Sequence, residues 1–258
     1  HNMIFGKMFK KRVLSIDLDY IMEPSIEKYN GLAFDLNTKR RWDQLYGDTN
    51  YDENSFEIEE DNFLFCFDVF CKSIMNCKNV TFGYDHDEIL YSIKNWNNID
   101  LINIDWHDDV IEGAYFRYYD DVKVASKREY NDVKNNKVTE GNWGAWLHSQ
   151  QKLNSFTWIC ADNSGSVGKN NAIKSLLKER FNHFTKDNYK FENYKFDHIF
   201  VCLSPQYIPP KHWTKFILFL KTYQNIWKRP PKLLSGEYNL NKFKERHSEV
   251  EQHIRRYI

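Results

Sequence analysis

Apolar positions in this chain cluster into short runs separated by longer polar stretches. Val13, Leu14, Ile16 and Leu18 make Lys11 to Leu18 a near-continuous apolar run, the pattern of a strand buried on both faces. Asn79 to Phe82, Leu101 to Ile104, Phe156 to Ala161 and His198 to Leu203 read the same way. Between them, residues 61 to 76 carry Phe63, Leu64, Phe67, Val69, Phe70 and Ile74, a broad apolar face that predicts a helix. Asp87 to Asn95, Ala172 to Phe181 and His212 to Trp227 are further predicted helices, the last broken by Pro230-Pro231. Leu240 to Ile258 reads as one charged amphipathic helix.

Three stretches lack such periodicity. Residues 30 to 60 read as a long excursion with a short helix near Arg41 to Tyr46. Residues 117 to 140 read as loop or exposed helix, and 182 to 196 as an exposed connection. Asp162 to Gly168 has the Ser/Gly/Asn content of a turn. Strands alternating with helices predict an α/β chain: three layers, α/β/α, around a mainly parallel sheet. No repeat or linker divides it, so residues 3–258 are expected to form a single domain. His1-Asn2 ahead of Met3 reads as a cloning remnant and is left out of the fold reasoning.

Composition narrows the class. Aromatic residues reach 17%, enough for a sizeable core, while Lys+Arg and Asp+Glu stand equal at 36 each. Without a global basic field, nucleic acid and anionic membranes are not expected partners. No apolar stretch nears the roughly 20 residues of a bilayer span, and no signal peptide is visible. The five cysteines are odd in number and form no C-x-x-C pair, so buried thiols in a reducing cytoplasm are expected.

The chemistry concentrates where the predicted strands end. Asp17 and Asp19 follow the first apolar run, His86 follows Gly83-Tyr84-Asp85, and Asp105, His107 and Asp109 follow Leu101 to Ile104. Carboxyl ends of parallel strands are where such folds place ligands. Alternation sends Asp105, His107 and Asp109 to one side of an extended segment, and Asp17 and Asp19 likewise. Four carboxylates and two imidazoles suit two divalent ions; carboxylates suit Mn²⁺ or Mg²⁺, and imidazole adds a preference for a transition metal. An Asp-x-Asp alone is often only a turn, and a lone His is usually a satisfied hydrogen-bonding group. The coincidence of three segments is what points to a metal site.

Those residues resemble a known family. Ser15-Ile16-Asp17-Leu18-Asp19-Tyr20-Ile21-Met22-Glu23-Pro24 resembles the S-x-D-x-D-x-x-D-P motif of arginases and agmatinases, with Glu23 in place of the usual last Asp. Gly83-Tyr84-Asp85-His86 resembles their G-G-D-H, and Asp105 to Asp109 their D-A-H-x-D. In ordinary arginases the D-x-D segment comes last; here it comes first. That order resembles the rearranged branch containing peptide arginases, which convert arginine in ribosomal precursor peptides to ornithine. The likeness covers about residues 13 to 148. It implies an arginase-like fold and two Mn²⁺ ions, Asp17 and Asp105 bridging, His86 and Asp109 completing one ion, His107 and Asp19 the other. It also implies a precursor peptide as partner, with leader recognition, and release of urea in the cytoplasm; the oligomeric state is left open.

Around the metals the same resemblance suggests His148 as proton shuttle, with Asn142 and Trp143 beside the substrate. Glu237 is a candidate guanidinium acceptor, and Trp106 and Trp143 are candidate pocket walls. Asp109, His148 and Glu237 form the catalytic set expected on this reading. Three rivals remain: a haloacid-dehalogenase-like phosphatase using Asp17 and Asp19, a one-zinc deacetylase, and a non-catalytic binding module. A small-guanidine ureohydrolase is the alternative within the family. The phosphatase leaves His86 and His107 unexplained, the deacetylase needs fewer carboxylates, and a module that had lost catalysis would be expected to have lost a ligand.

Overall fold

A computed structural model of the chain describes residues 9–22, 37–48, 52–111, 116–119, 122–125, 131, 135, 137–161, 170–235 and 240–258. Seven strands form one all-parallel sheet: β1 (Lys11–Asp17), β2 (Val80–Gly83), β3 (Ile99–Ile104), β6 (Leu153–Cys160), β7 (Phe181–Thr185), β8 (His198–Cys202) and β9 (Lys232–Leu233). Their spatial order is β7-β6-β3-β1-β8-β2-β9. Two more strands, β4 (Phe116–Tyr119) and β5 (Val122–Ala125), pair as an antiparallel hairpin apart from the sheet.

The apolar runs work as strands because alternate residues serve two cores. Leu14 and Ile16 of β1, Ile102 and Ile104 of β3, and Ile199 and Val201 of β8 face one layer. Val13, Leu101, Phe200 and Cys202 face the other. The first layer holds α1 (Thr38–Asp48), α2 (Glu60–Ile74) and α6 (Trp213–Trp227), with α7 (Leu240–Arg246) and α8 (Ser248–Arg255) beside them. The second holds α3 (Ile89–Ile93), α4 (Trp143–Ser149) and α5 (Asn170–Leu177). The fold is thus three layers, α/β/α, as the alternation of elements predicts. Aromatic residues lock the first layer: the Phe219 ring of α6 lies 5.2 Å from Phe67 and 4.9 Å from Phe70 of α2.

The structure differs from the expected elements in three places and adds one strand. The stretch 182 to 196, expected to be only a connection, contains most of β7, and Phe181, expected to end a helix, starts that strand. Beyond Pro230-Pro231 lies β9, two residues long. Part of the stretch 117 to 140 is the β4–β5 hairpin. The C-terminal helix is two helices, separated at His247, whose buried imidazole bonds Thr38 (3.0 Å) and lies against Asp85 (3.0 Å). A residue tied on both sides to other parts of the chain fixes a break that periodicity does not show. The expected turn from Asp162 to Gly168 lies outside the described residues. Among the described residues no helix is long and apolar enough to cross a membrane.

Candidate metal centre

Sheet register brings the ligands together. Ile104 pairs with Ile16, so Asp105 comes level with Asp17 at the end of β1. Asp17 and Gly83 both pair with Cys202, which puts the end of β2 at the same height. From β2 the chain turns into a short 3-10 segment, His86–Glu88, and the His86 imidazole stacks on Phe200 of the intervening β8 at 5.9 Å. Chain connections leave β1 and β3 toward opposite edges, the place where open parallel sheets form ligand crevices.

All six predicted ligands converge there. His86 Nδ1 lies 2.6 Å from Asp109, 3.0 Å from Asp105 and 3.1 Å from Asp17, carboxylate oxygens in each case. His107 Nδ1 lies 2.8 Å from Asp19 Oδ2. Among the described residues two groups have spacing that can hold a metal ion: Asp17, His86 and Asp105, and Asp19, Asp105 and His107. Asp105 belongs to both. His86 Nδ1 is buried and makes no hydrogen bond of acceptable geometry, although three carboxylates crowd it. An orphaned ring nitrogen among carboxylate oxygens, with a shared Asp beside it, is a donor set that could hold a metal ion.

Further contacts fix each ligand. His86 Nε2 meets Ser15 Oγ at 2.6 Å, leaving Nδ1 to point at the carboxylates. Ser204 Oγ donates to Asp17 Oδ2 (2.6 Å), Asn103 Nδ2 to Asp105 Oδ2 (3.0 Å), and Trp143 Nε1 to Asp109 Oδ2 (2.7 Å). The Trp106 backbone N–H donates to Asp19 Oδ1 at 3.2 Å. Asp109 sits at φ 52°, a left-handed turn that Asp tolerates better than most residues. Its carbonyl accepts the Gly144 N–H at 3.0 Å. A Cβ on Gly144 would lie 2.9 Å from the Phe156 ring and 3.1 Å from that carbonyl, so glycine lets α4 close on the loop.

Crowded like charges shift the titration of these groups. Burial, reinforced by Asp109, pushes Asp105 up to about 7. Burial and the neighbouring Asp17 also push Asp19 well up. Burial opposes protonation of His107, but Asp19 overrides it and carries the imidazole up to about 10. For His86, burial is likewise overridden by Asp109 and Asp105. A metal ion held here would therefore compete with protons for the same lone pairs.

The centre opens into a cavity of about 470 Å³, whose wall includes Glu140, Gly141, Gln206, Tyr207 and Arg246. Lys242 of α7 holds this wall together, lying 3.1 Å from Asp85, 3.3 Å from Asp87 and 2.8 Å from Glu140. Arg246 adds a second cation 3.2 Å from Glu140. These cations outweigh burial and hold the Glu140 carboxyl below its usual range.

Other expected site residues are placed differently. His148 does not line the cavity; it lies toward α5 and Arg180, and burial and Arg180 lower its pKa. The Asn142 side chain accepts the Thr139 N–H at 2.9 Å and so shapes the loop before α4 instead of facing the cavity. Trp143 and Trp106 are buried behind the ligands rather than forming the wall. Glu237 lies outside the described residues. Ser15 and Ser204 were not among the expected site residues; the signals that could have found them are Ser15's place two before Asp17 on the same strand face and Ser204's as the first residue past a buried strand. For Lys242, Arg246 and Gln206 the sequence carries no comparable local signal. No protein-family profile, curated protein or solved structure matches the chain.

Proposed function

We propose that the chain is a dinuclear metal hydrolase acting on the guanidino group of arginine in a precursor peptide, giving ornithine and urea. The observation that carries the two-metal part is Asp105, common to two adjacent ligand groups on neighbouring strand ends. Two Mn²⁺ ions there would supply Lewis acidity and a water acidic enough to be a nucleophile at neutral pH. Asp17, His86 and Asp109 would hold one ion, Asp19 and His107 the other, with Asp105 between them.

The guanidine part rests on the motif resemblance and gains support from the wall. Gln206 Oε1 is buried in the cavity wall and accepts no hydrogen bond among the described residues. A guanidinium, with five N–H donors, matches such an acceptor. Glu140 lines the same cavity as a carboxylate that is not among the proposed ligands. Both groups are fixed before substrate arrives, Glu140 by Lys242 and Arg246, and the Gln206 backbone carbonyl by Arg41 Nε at 2.9 Å. The choice of a peptide over a free guanidine comes from the resemblance.

A urea-release assay tests the reading, comparing Mn²⁺-loaded and metal-stripped protein on free arginine, agmatine and an arginine-containing peptide. Metal-dependent urea from the peptide alone is the expected result. Urea from the small guanidines would transfer the assignment to an ordinary ureohydrolase. Two bound metals and no urea would remove the guanidine from the proposal.

A further inference from the structure

From His198 to Gly236 the chain contains six Lys or Arg and no Asp or Glu, although the two classes are equal over the whole chain. Lys211 and Lys215 are paired, with Glu57 (3.0 Å) and Glu60 (3.1 Å). Lys221, Lys228, Arg229 and Lys232 have no carboxylate partner among the described residues, and all four are exposed. Folding adds Lys78, from the segment before β2, whose carbonyl accepts from the Arg229 guanidinium.

These five cations line two adjoining hollows. One, of about 540 Å³, is walled by Lys221, Gln224, Asn225, Lys228 and Arg229. The other, of about 610 Å³, lies where β2, β8 and β9 begin and includes Lys78, Arg229 and Lys232. Arg229 and Pro230 border both, so the hollows form one track. No acidic residue lines either, and the track lies at the amino ends of the strands, opposite the metal centre.

We infer that this basic track is a docking surface for an acidic peptide segment. Unpaired ammonium groups along a groove attract a chain of carboxylates. Side-chain amides of Gln224 and Asn225 can meet a peptide backbone. The rings in the wall argue against bases. Lys232 lies over Tyr91 (4.7 Å), Arg229 over Tyr223 (5.4 Å) and Lys11 over Trp96 (5.5 Å). Single-stranded nucleic acids stack on aromatic faces, and here each ring already carries a cation from its own chain. Four of the five cations are lysines, point charges rather than the planar forks that grip phosphate bidentately.

Fluorescence anisotropy with a dye-labelled Asp/Glu peptide of about ten residues tests this, against an uncharged peptide and single-stranded DNA of matched length. Saturable binding of the acidic peptide is expected, weakening with salt. The double substitution Lys228→Glu/Lys232→Glu should weaken it about tenfold or more, while Lys190→Glu, on another exposed segment, should not. Circular dichroism confirms that each variant is folded. No saturable binding, equal affinity in the double variant, or tighter binding of DNA at the same salt would each overturn the assignment. None of these readouts involves metal or hydrolysis, so the outcome is independent of the metal centre.

Discussion

Asp105→Asn separates two demands on the candidate metal centre, because the carboxylate proposed to bind metal also burdens the metal-free fold. Asp105 is fully buried, and its pKa rises from 3.8 to about 7 through burial and the Asp109 charge. At ~1.4 kcal/mol per pH unit, ionising it costs roughly 4 kcal/mol more in the fold than in the unfolded chain. The folded value lies above the unfolded one, so this carboxyl favours folding at low pH. Its contribution is lost as pH rises from 3.8 through about 7. Asparagine avoids that loss but sets one amide against Asn103 Nδ2, a mismatch of roughly 1–2 kcal/mol. The metal-free variant should thus be roughly 2 kcal/mol more stable than wild type at about pH 8, raising Tm by about 4–8 °C, with little difference at about pH 5. Scanning fluorimetry on chelator-treated protein, with and without Mn²⁺, reads both effects. Asn should also abolish the Mn²⁺-dependent gain in Tm, since both ligand groups lose their common member. A variant that melts lower than wild type without metal at the higher pH would refute the electrostatic argument. An undiminished response to Mn²⁺ would refute the shared ligand.

Wild-type protein should gain more Tm from Mn²⁺ as pH climbs from about 6 to about 8, because the ion must displace protons from Asp105 and His107; calorimetry in two buffers should show proton release, and a pH-independent gain would contradict the raised pKa values. Trp143→Phe keeps an aromatic, though smaller, ring at this buried position and deletes the 2.7 Å bond to Asp109. Metal affinity should fall about 10–100-fold with the fold intact, and unchanged affinity by titration calorimetry would show that Asp109 needs no such support. Gly144→Ala places a methyl 2.9 Å from the Phe156 ring, and denaturant unfolding should register a loss of roughly 1–3 kcal/mol. Lys242→Met leaves Asp85, Asp87 and Glu140 without their common cation and should cost roughly 3–5 kcal/mol; a neutral result would mean that solvent replaces the ammonium group.

Strands β1, β2, β3 and β8, and β6 toward its carboxyl end, were legible because they are buried on both faces there, so the local apolar run reports the environment directly. β7 was not, since it lies at the sheet edge with much of its surface half-buried and carries Asn182 and His183 in its short run. β9 is too short for any period to register. The break at His247 depends on Thr38 and Asp85, far away in the chain.

For the metal centre the division runs along the same line. Residue type and strand-end position, both local properties, marked Asp17, Asp19, His86, Asp105, His107 and Asp109. The resemblance already implied that Asp105 and Asp17 are shared; only the tertiary structure put Asp105 in both ligand groups and Asp17 in one, stood Trp143 behind Asp109, and turned His148 away from the cavity. It alone brought Lys242 and Arg246 onto Glu140, and left five cations on the opposite end of the sheet without carboxylate partners among the described residues. The physical reason is range. Strand and helix patterns arise from burial repeating every two or about four residues, which any short window contains. Which charges meet is set by sheet order and register, between residues far apart in the chain.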